Sequence, residues 1–147
     1  MIPNPVRLER FCRTAHAGSN PPARLVLGRV AARKGLDDVV ALAHLLLRRS
    51  VNVRVRVVGG PDLKSDYTRL MGELPAENAE YAGRIPPSGV PAELARADVL
   101  LQPSKYEPFA LTVAEALAAG CRSSPRPRWV QPSGSTPQWR RRSRAPT

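Results

Sequence analysis

The chain has 147 residues, 42% of them hydrophobic, and a formal net charge of +11. That length suits one domain with a modest core. No apolar run approaches the roughly 18 residues of a membrane span, and no basic-then-apolar secretory leader is visible.

The charge is unevenly placed. Residues 121–147 carry arginine at 122, 126, 128, 140, 141, 142 and 144 and no acid, so 1–120 keeps 16 basic and 12 acidic residues, or +4. Proline at 125, 127, 132, 137 and 146 interrupts the same stretch. This composition predicts a disordered basic tail, 121–147, which can hold phosphate backbones nonspecifically but supplies no base readout. Cys12 and Cys121 have no motif spacing. They read as unrelated thiols in a reducing cytoplasm.

The body alternates in period. Residues 24–28 (RLVLG) form a short apolar run ending in glycine, and RVAARKG is a loop. Residues 36–49 place apolar side chains at 36, 39, 40, 43, 46 and 47, a helical spacing, with Asp37 and Asp38 at the start and Arg48 and Arg49 at the end, as the helix dipole favours. Residues 51–58 (VNVRVRVV) alternate with period two and run into Gly59-Gly60-Pro61, a strand and a turn. Arg54 and Arg56 suggest a strand near the sheet edge or partly uncovered, because a central parallel strand is apolar on both faces. A helix is expected over 64–74, a weak strand over 78–83, a short helix over 90–97 and a buried strand over 98–104. A last helix follows, with Pro108 in its first turn and Gly120 as its stop. The order β-α-β-α-β-α-β-α predicts an α/β fold, an open, parallel, Rossmann-like sheet.

In such sheets ligands sit at the carboxyl ends of strands. After the first strand, Gly28, Arg29, Lys34 and Gly35 can converge on a diphosphate: glycine permits close approach, arginine grips two oxygens and lysine adds a point charge. After the fourth, Glu107 and Glu115 are eight residues apart. At roughly 100° per residue, that spacing brings them within roughly 80° of each other around a helix. Phe109, Ala110 and Leu111 would offer free N–H groups at the helix start, an anion site. Glu115 lies in an otherwise apolar helix and needs a hydrogen-bonding partner, either a protein group, solvent or ligand hydroxyls. His16 and His44 are lone histidines, no phosphate-binding P-loop or GxGxxG is present, and Ser104 lacks a nucleophile-elbow context.

Five segments taken together resemble the C-terminal, donor-binding domain of GT-B fold, family 4 (group 1) retaining glycosyltransferases. They are 2–11 (IPNPVRLERF), 27–38 (LGRVAARKGLDD), 55–61 (VRVVGGP), 81–86 (YAGRIP) and 95–120 (ARADVLLQPSKYEPFALTVAEALAAG), with the Glu-x7-Glu signature on Glu107 and Glu115. The resemblance implies a nucleotide-diphosphate-sugar donor. Arg29 and Lys34 would hold its diphosphate beside Gly28 and steady the leaving group. Glu107 would contact the sugar, making Arg29, Lys34 and Glu107 the expected catalytic residues. Glu115 would bind the ribose hydroxyls, Phe109, Ala110 and Leu111 would lie against sugar and phosphate, and Arg84 and Ile85 would hold the base. No metal or other cofactor is expected, because the cations handle the diphosphate. The family often reads Glu-Gly-Phe-Gly where this chain has Pro108 and Ala110.

The resemblance also sets the expected layout. Residues 1–22 match an interdomain linker, which implies that Met1 is an internal start, and 23–120 match a partial nucleotide-sugar domain. A one-base frame shift with permissible codons turns 121–138 into an apolar Pro-Val-Val continuation. The tail is therefore expected to be out-of-frame translation, the fold incomplete at its C-terminal end, and strand four bare on one side. Glycosyl transfer to an unknown acceptor is the expected function, with the isolated chain inactive unless a separately encoded N-terminal domain completes it. The alternatives are a noncatalytic nucleotide-sugar-binding fragment and a basic nucleic-acid-binding protein.

Overall fold

A computed structural model of the chain describes residues 8–11, 18–62, 67–105 and 110–125. Five parallel strands form one sheet in the order β3-β2-β1-β4-β5. They are β1 (Ala23–Leu27), β2 (Arg54–Val58), β3 (Ala79–Gly83), β4 (Val99–Gln102) and β5 (Arg122–Pro125). The helices are α1 (Leu36–Arg48), α2 (Thr68–Met71), α3 (Val90–Arg96) and α4 (Leu111–Ala118). The chain starts at the centre, builds outward to β3, then returns to the other side of β1. The crevice where the order reverses lies between β1 and β4, where open α/β sheets place ligands.

Alternate side chains of each strand feed two cores, one per face. Val26, Val55 and Val57 pack with Leu36, Val39, Val40 and Ala43 of α1 and with Met71 of α2. Leu25, Val58 and Leu100 pack with Leu94 of α3 and with Ala116, Ala119 and Cys121 around α4. The apolar spacing of α1 thus marks its buried face at 36, 39, 40 and 43. Leu47, at the end of that pattern, is instead exposed.

The structure corrects the edge placement of the second strand. β2 is internal, paired with β1 and β3. Its charge is accommodated across the sheet face: Arg56 Nε donates to Glu93 of α3 at 2.8 Å, and its Nη1 donates to Glu80 of β3 at 2.7 Å. The Glu93 carboxylate first, and then Glu80, push the guanidinium further above its ordinary range. Arg54 lies at the exposed start of the strand.

A second correction concerns the far edge. β4 is not bare: Arg122–Pro125 pairs with it in parallel, Val99 beside Arg122 and Gln102 beside Pro125. Parallel pairing uses backbone groups, so a sequence without apolar pattern can supply it. The turn that aims the chain there is built by α4. Gly120 adopts φ 81°, its N–H donates to the Leu117 carbonyl at 3.1 Å, and the Cys121 N–H donates to Ala116 at 2.9 Å. This is a Schellman stop, as the glycine predicts. Expectations for residues 126–147 lie outside the described residues. Among the described residues no helix is long and apolar enough to cross a membrane.

Candidate functional site

The loop after β1 is pinned on both sides of Arg29. Gly28 N–H donates to the Val58 carbonyl at 3.0 Å, Val30 N–H donates to Gly60 at 2.8 Å, and Val30 bridges Pro61. This pairing brings the backbones so close that a Cβ on Gly59 would overlap the Gly28 carbonyl oxygen. The Tyr81 hydroxyl, donating to Gly59 at 2.8 Å, holds the same turn from β3. The Arg29 main chain is therefore fixed, while its side chain is 63% exposed and reaches Asp62 at 3.7 Å. An exposed guanidinium on a fixed main chain, with a loose counter-ion, is open to an anion.

Lys34 ends a 3-10 turn, Ala32–Lys34, and folds back under Gly28: its Nζ lies 4.0 Å from where a Gly28 Cβ would stand. A side chain at residue 28 would touch the lysine only at ordinary van der Waals distance; what favours glycine there is its φ of 150°. Gly35 continues into α1 in the left-handed region at φ 68°.

These loops border a cleft of about 540 Å³ at the carboxyl ends of β1, β2 and β3 and the start of α4. Gly28, Arg29, Arg84, Ile85, Leu111 and Glu115 line it. Lys34 lines an adjoining small hollow that shares Leu27, Gly28 and Arg29 with the cleft and is floored by Gln102 and Ser104. Both floor residues are buried, and the Gln102 amide donates to the Ser104 hydroxyl at 3.2 Å. The Arg84 side chain lies over Gly60, its Cδ 3.2 Å from where a Cβ would be.

Ala110 precedes α4 in the left-handed region, at φ 46° and ψ 37°. Intrahelical bonding begins with the Val113 and Ala114 N–H groups, both donating to Ala110. The N–H groups of Leu111 and Thr112 come before it, and both residues line the cleft. A helix start presented this way attracts an anion. The helix begins later than Pro108 suggests. Glu107, Pro108 and Phe109 lie outside the described residues.

Glu115 is half-buried in the cleft wall. Burial raises its carboxyl above the usual carboxylate range, and the positive charge of Arg10 acts in the opposite direction. A desolvated carboxylate of this kind gains from hydroxyl donors.

The structure therefore brings Gly28, Arg29, Arg84, Ile85, Leu111 and Glu115 to one cleft, with Lys34 in the adjoining hollow; Ala110, the residue before Leu111, lines neither. Sequence reasoning missed Arg10, Phe11, Gly59, Gly60 and Thr112, which line the same space. The glycine pair after β2 carried a signal: it stands at a strand's carboxyl end, like Gly28. Arg10 and Phe11 lie before the first strand, where no periodicity points to a cleft.

Comparisons with known proteins bear on the family and the fold. Residues 13–122 match the family model of glycosyl transferases group 1. The chain is 29% identical over 105 residues to mannosylfructose-phosphate synthase of Agrobacterium fabrum, covering 65% of this chain and 23% of that protein. It is 32% identical over 124 residues to glycogen synthase of Mycobacterium tuberculosis, covering 82% of this chain and 30% of that protein. The chain thus spans under a third of the length of these relatives. Among solved structures, sucrose-phosphate synthase of Thermosynechococcus elongatus superposes with a TM-score of 0.67 at 25% identity, covering 82% of this chain and 33% of that one. The C-terminal domain of a glycosyl transferase group 1 family protein of Francisella tularensis shares the fold, with a TM-score of 0.61 at 17% identity over 84% of this chain and 66% of that one. The chain belongs to the group 1 glycosyl transferases.

Proposed function

We propose that the cleft binds a nucleotide-diphosphate sugar and forms the donor side of a retaining glycosyl transfer. The observation that carries this reading is the meeting of Arg29, the start of α4 and Glu115 in one cleft, with Lys34 in the hollow beside it. In this reading Arg29, Lys34 and the Leu111 and Thr112 N–H groups face the diphosphate. When the bond from the sugar's anomeric carbon to the diphosphate oxygen breaks, its electron pair stays on that oxygen. Fixed cations stabilise the charge developing there. The acceptor oxygen forms the new bond, and its proton goes to the released diphosphate oxygen.

Glu115 accepts hydrogen bonds from ribose hydroxyls, and Glu107 contacts the sugar. Arg84 and Ile85 border the base beside Phe11 and Val90, which give that end of the cleft an apolar wall. The names of the sugar-transferring relatives support a sugar donor. Retention follows from the family 4 resemblance. A noncatalytic nucleotide-sugar-binding role, which needs only the cleft, is the second reading.

Calorimetric titration of the full chain with UDP-, GDP- and ADP-glucose, beside duplex DNA, tests the binding. Saturable binding of one sugar nucleotide, insensitive to competing DNA, is the expected result. Salt-sensitive DNA binding with no sugar nucleotide bound would overturn it. Turnover on addition of an N-terminal acceptor domain, with the product's anomeric configuration read by NMR, separates the catalytic from the noncatalytic reading.

A further inference from the structure

Two glycines follow β2, and they are glycine for different reasons. A Cβ on Gly59 would overlap the Gly28 carbonyl oxygen. Gly60 is not among the glycines with positive φ. The three atoms nearest a Cβ built on it all belong to Arg84: Cδ at 3.2 Å, Cβ at 3.3 Å and Cγ at 3.4 Å. Three successive stem atoms at nearly equal distance mean that the stem runs across the glycine rather than away from it. Carbon atoms in ordinary contact stand about 3.5–4.0 Å apart, so a side chain at residue 60 would press on that stem.

The turn is held and Arg84 is free to give way. The Val30 N–H donates to the Gly60 carbonyl, and the Gly59 N–H donates to the Gly83 carbonyl, both at 2.8 Å. The Tyr81 hydroxyl donates to the Gly59 carbonyl at 2.8 Å. Arg84 is exposed and stands just past the end of β3. Val57 pairs with Tyr81 but Val58 pairs with Gly83, so Ala82 is an extra residue in β3, and Gly83 then turns at φ 71°. A bulge of this kind re-aims the chain that follows it. Here it leads into Arg84, whose side chain lies over Gly60 in the lining of the cleft.

We propose that Gly60 is a positioning residue of the cleft, whose missing side chain lets Arg84 lie flat at the end that takes the base. A guanidinium laid along the wall offers its planar face to a planar heteroaromatic ring. The role toward the base rests on the reading of the cleft as a nucleotide-sugar site. The packing of Arg84 on Gly60 does not depend on that reading.

Two measurements on the full chain separate these levels. The first follows the Arg84 Nε–Hε signal by NMR without ligand, identified by its loss in Arg84→Ala. Gly60→Ala is expected to shift it; an unmoved signal overturns the proposal. If Gly60→Ala lowers the urea midpoint, adding Arg84→Ala should restore most of the loss, because the collision is with that stem. A loss that is not restored overturns the proposal too. The second is calorimetric affinity for whichever of UDP, GDP and ADP the unaltered chain binds, beside inorganic pyrophosphate, which has no base. Gly60→Ala is expected to weaken the nucleotide roughly twofold to fivefold, the scale of one exposed cation–aromatic contact, and to leave pyrophosphate unchanged. In an Arg84→Ala background the same change should add nothing. Unchanged nucleotide affinity, an equal loss for pyrophosphate, or a loss that persists beside Arg84→Ala overturns the positioning role. A shifted signal with none of the three nucleotides bound overturns the donor reading while upholding the packing.

Discussion

The backbone N–H of Lys105 donates to the carbonyl of Arg33 at 2.8 Å, tying the loop after β4 to the loop after β1. One turn away, Gly35 backs onto Pro103 so closely that a Cβ there would overlap the Pro103 carbonyl oxygen. These two contacts hold the cationic loop against the strand that leads to the acidic helix. Lys34 lies in that loop and Glu115 in that helix.

Gly35 is therefore expected to resist substitution. Gly35→Ala adds both left-handed strain at φ 68° and a backbone collision. The expected cost is about 2–4 kcal/mol, read as a lower urea midpoint with unchanged m. A midpoint within error of the unaltered chain would contradict this close packing.

Ala110 predicts the opposite sign. At φ 46° it bears the left-handed penalty of a Cβ, at a position where the family resemblance implies glycine. Ala110→Gly should raise stability by about 1 kcal/mol, after part of the relief is lost to the freer unfolded chain. Thermal unfolding by circular dichroism checks it.

The Arg56 network should behave as a sheet-face ion pair that is partly sheltered. Arg56 is 33% exposed and Glu93 13%. Glu93→Gln keeps the shape and removes the charge, so the expected loss is about 1 kcal/mol, smaller at 1 M salt. Urea denaturation at low and high salt reads both quantities. No loss at either salt would mean that Glu80 alone satisfies the guanidinium.

Glu115 gives a pH signature. Its carboxyl is raised in the folded chain, chiefly by burial, so the folded state holds that proton more tightly than the unfolded state. The associated stability is fully present below the unfolded pKa and is lost as pH rises through the folded one. Glu115→Gln should therefore be at least as stable as the unaltered chain at pH 7, and the difference should shrink toward pH 4. A variant less stable at pH 7 would show that the carboxylate is stabilised within the fold rather than reserved for a ligand.

Much of this was legible in the sequence, for identifiable reasons. Of the apolar positions 36, 39, 40, 43, 46 and 47, the first four marked the buried face of α1, and period two over 51–58 marked a strand whose paired part is β2, Arg54–Val58, because both elements pack against one core. The place of β2 in the sheet was not legible. Arg56 finds its partner 37 residues away on α3, and no local pattern reveals a charge satisfied at that distance. β5 was missed because RSSP has no apolar signal and is held through its backbone. α2 is confined to Thr68–Met71, shorter than the amphipathic spacing over 64–74 suggested, with 63–66 outside the described residues. At the site, Arg29, Lys34 and Glu115 were legible through glycine-bounded loops and a misplaced acid. Arg10 was not, because it lies before the first strand, where no periodicity points to a cleft.

The central claim is that Arg29 and Glu115 act on one ligand in one cleft. Calorimetry of the full chain with its preferred nucleotide sugar, repeated for Arg29→Ala and Glu115→Gln, tests it most directly. The account predicts that each substitution weakens binding by about tenfold or more, the loss of a charge-assisted hydrogen bond. Unchanged affinity in both variants would contradict it.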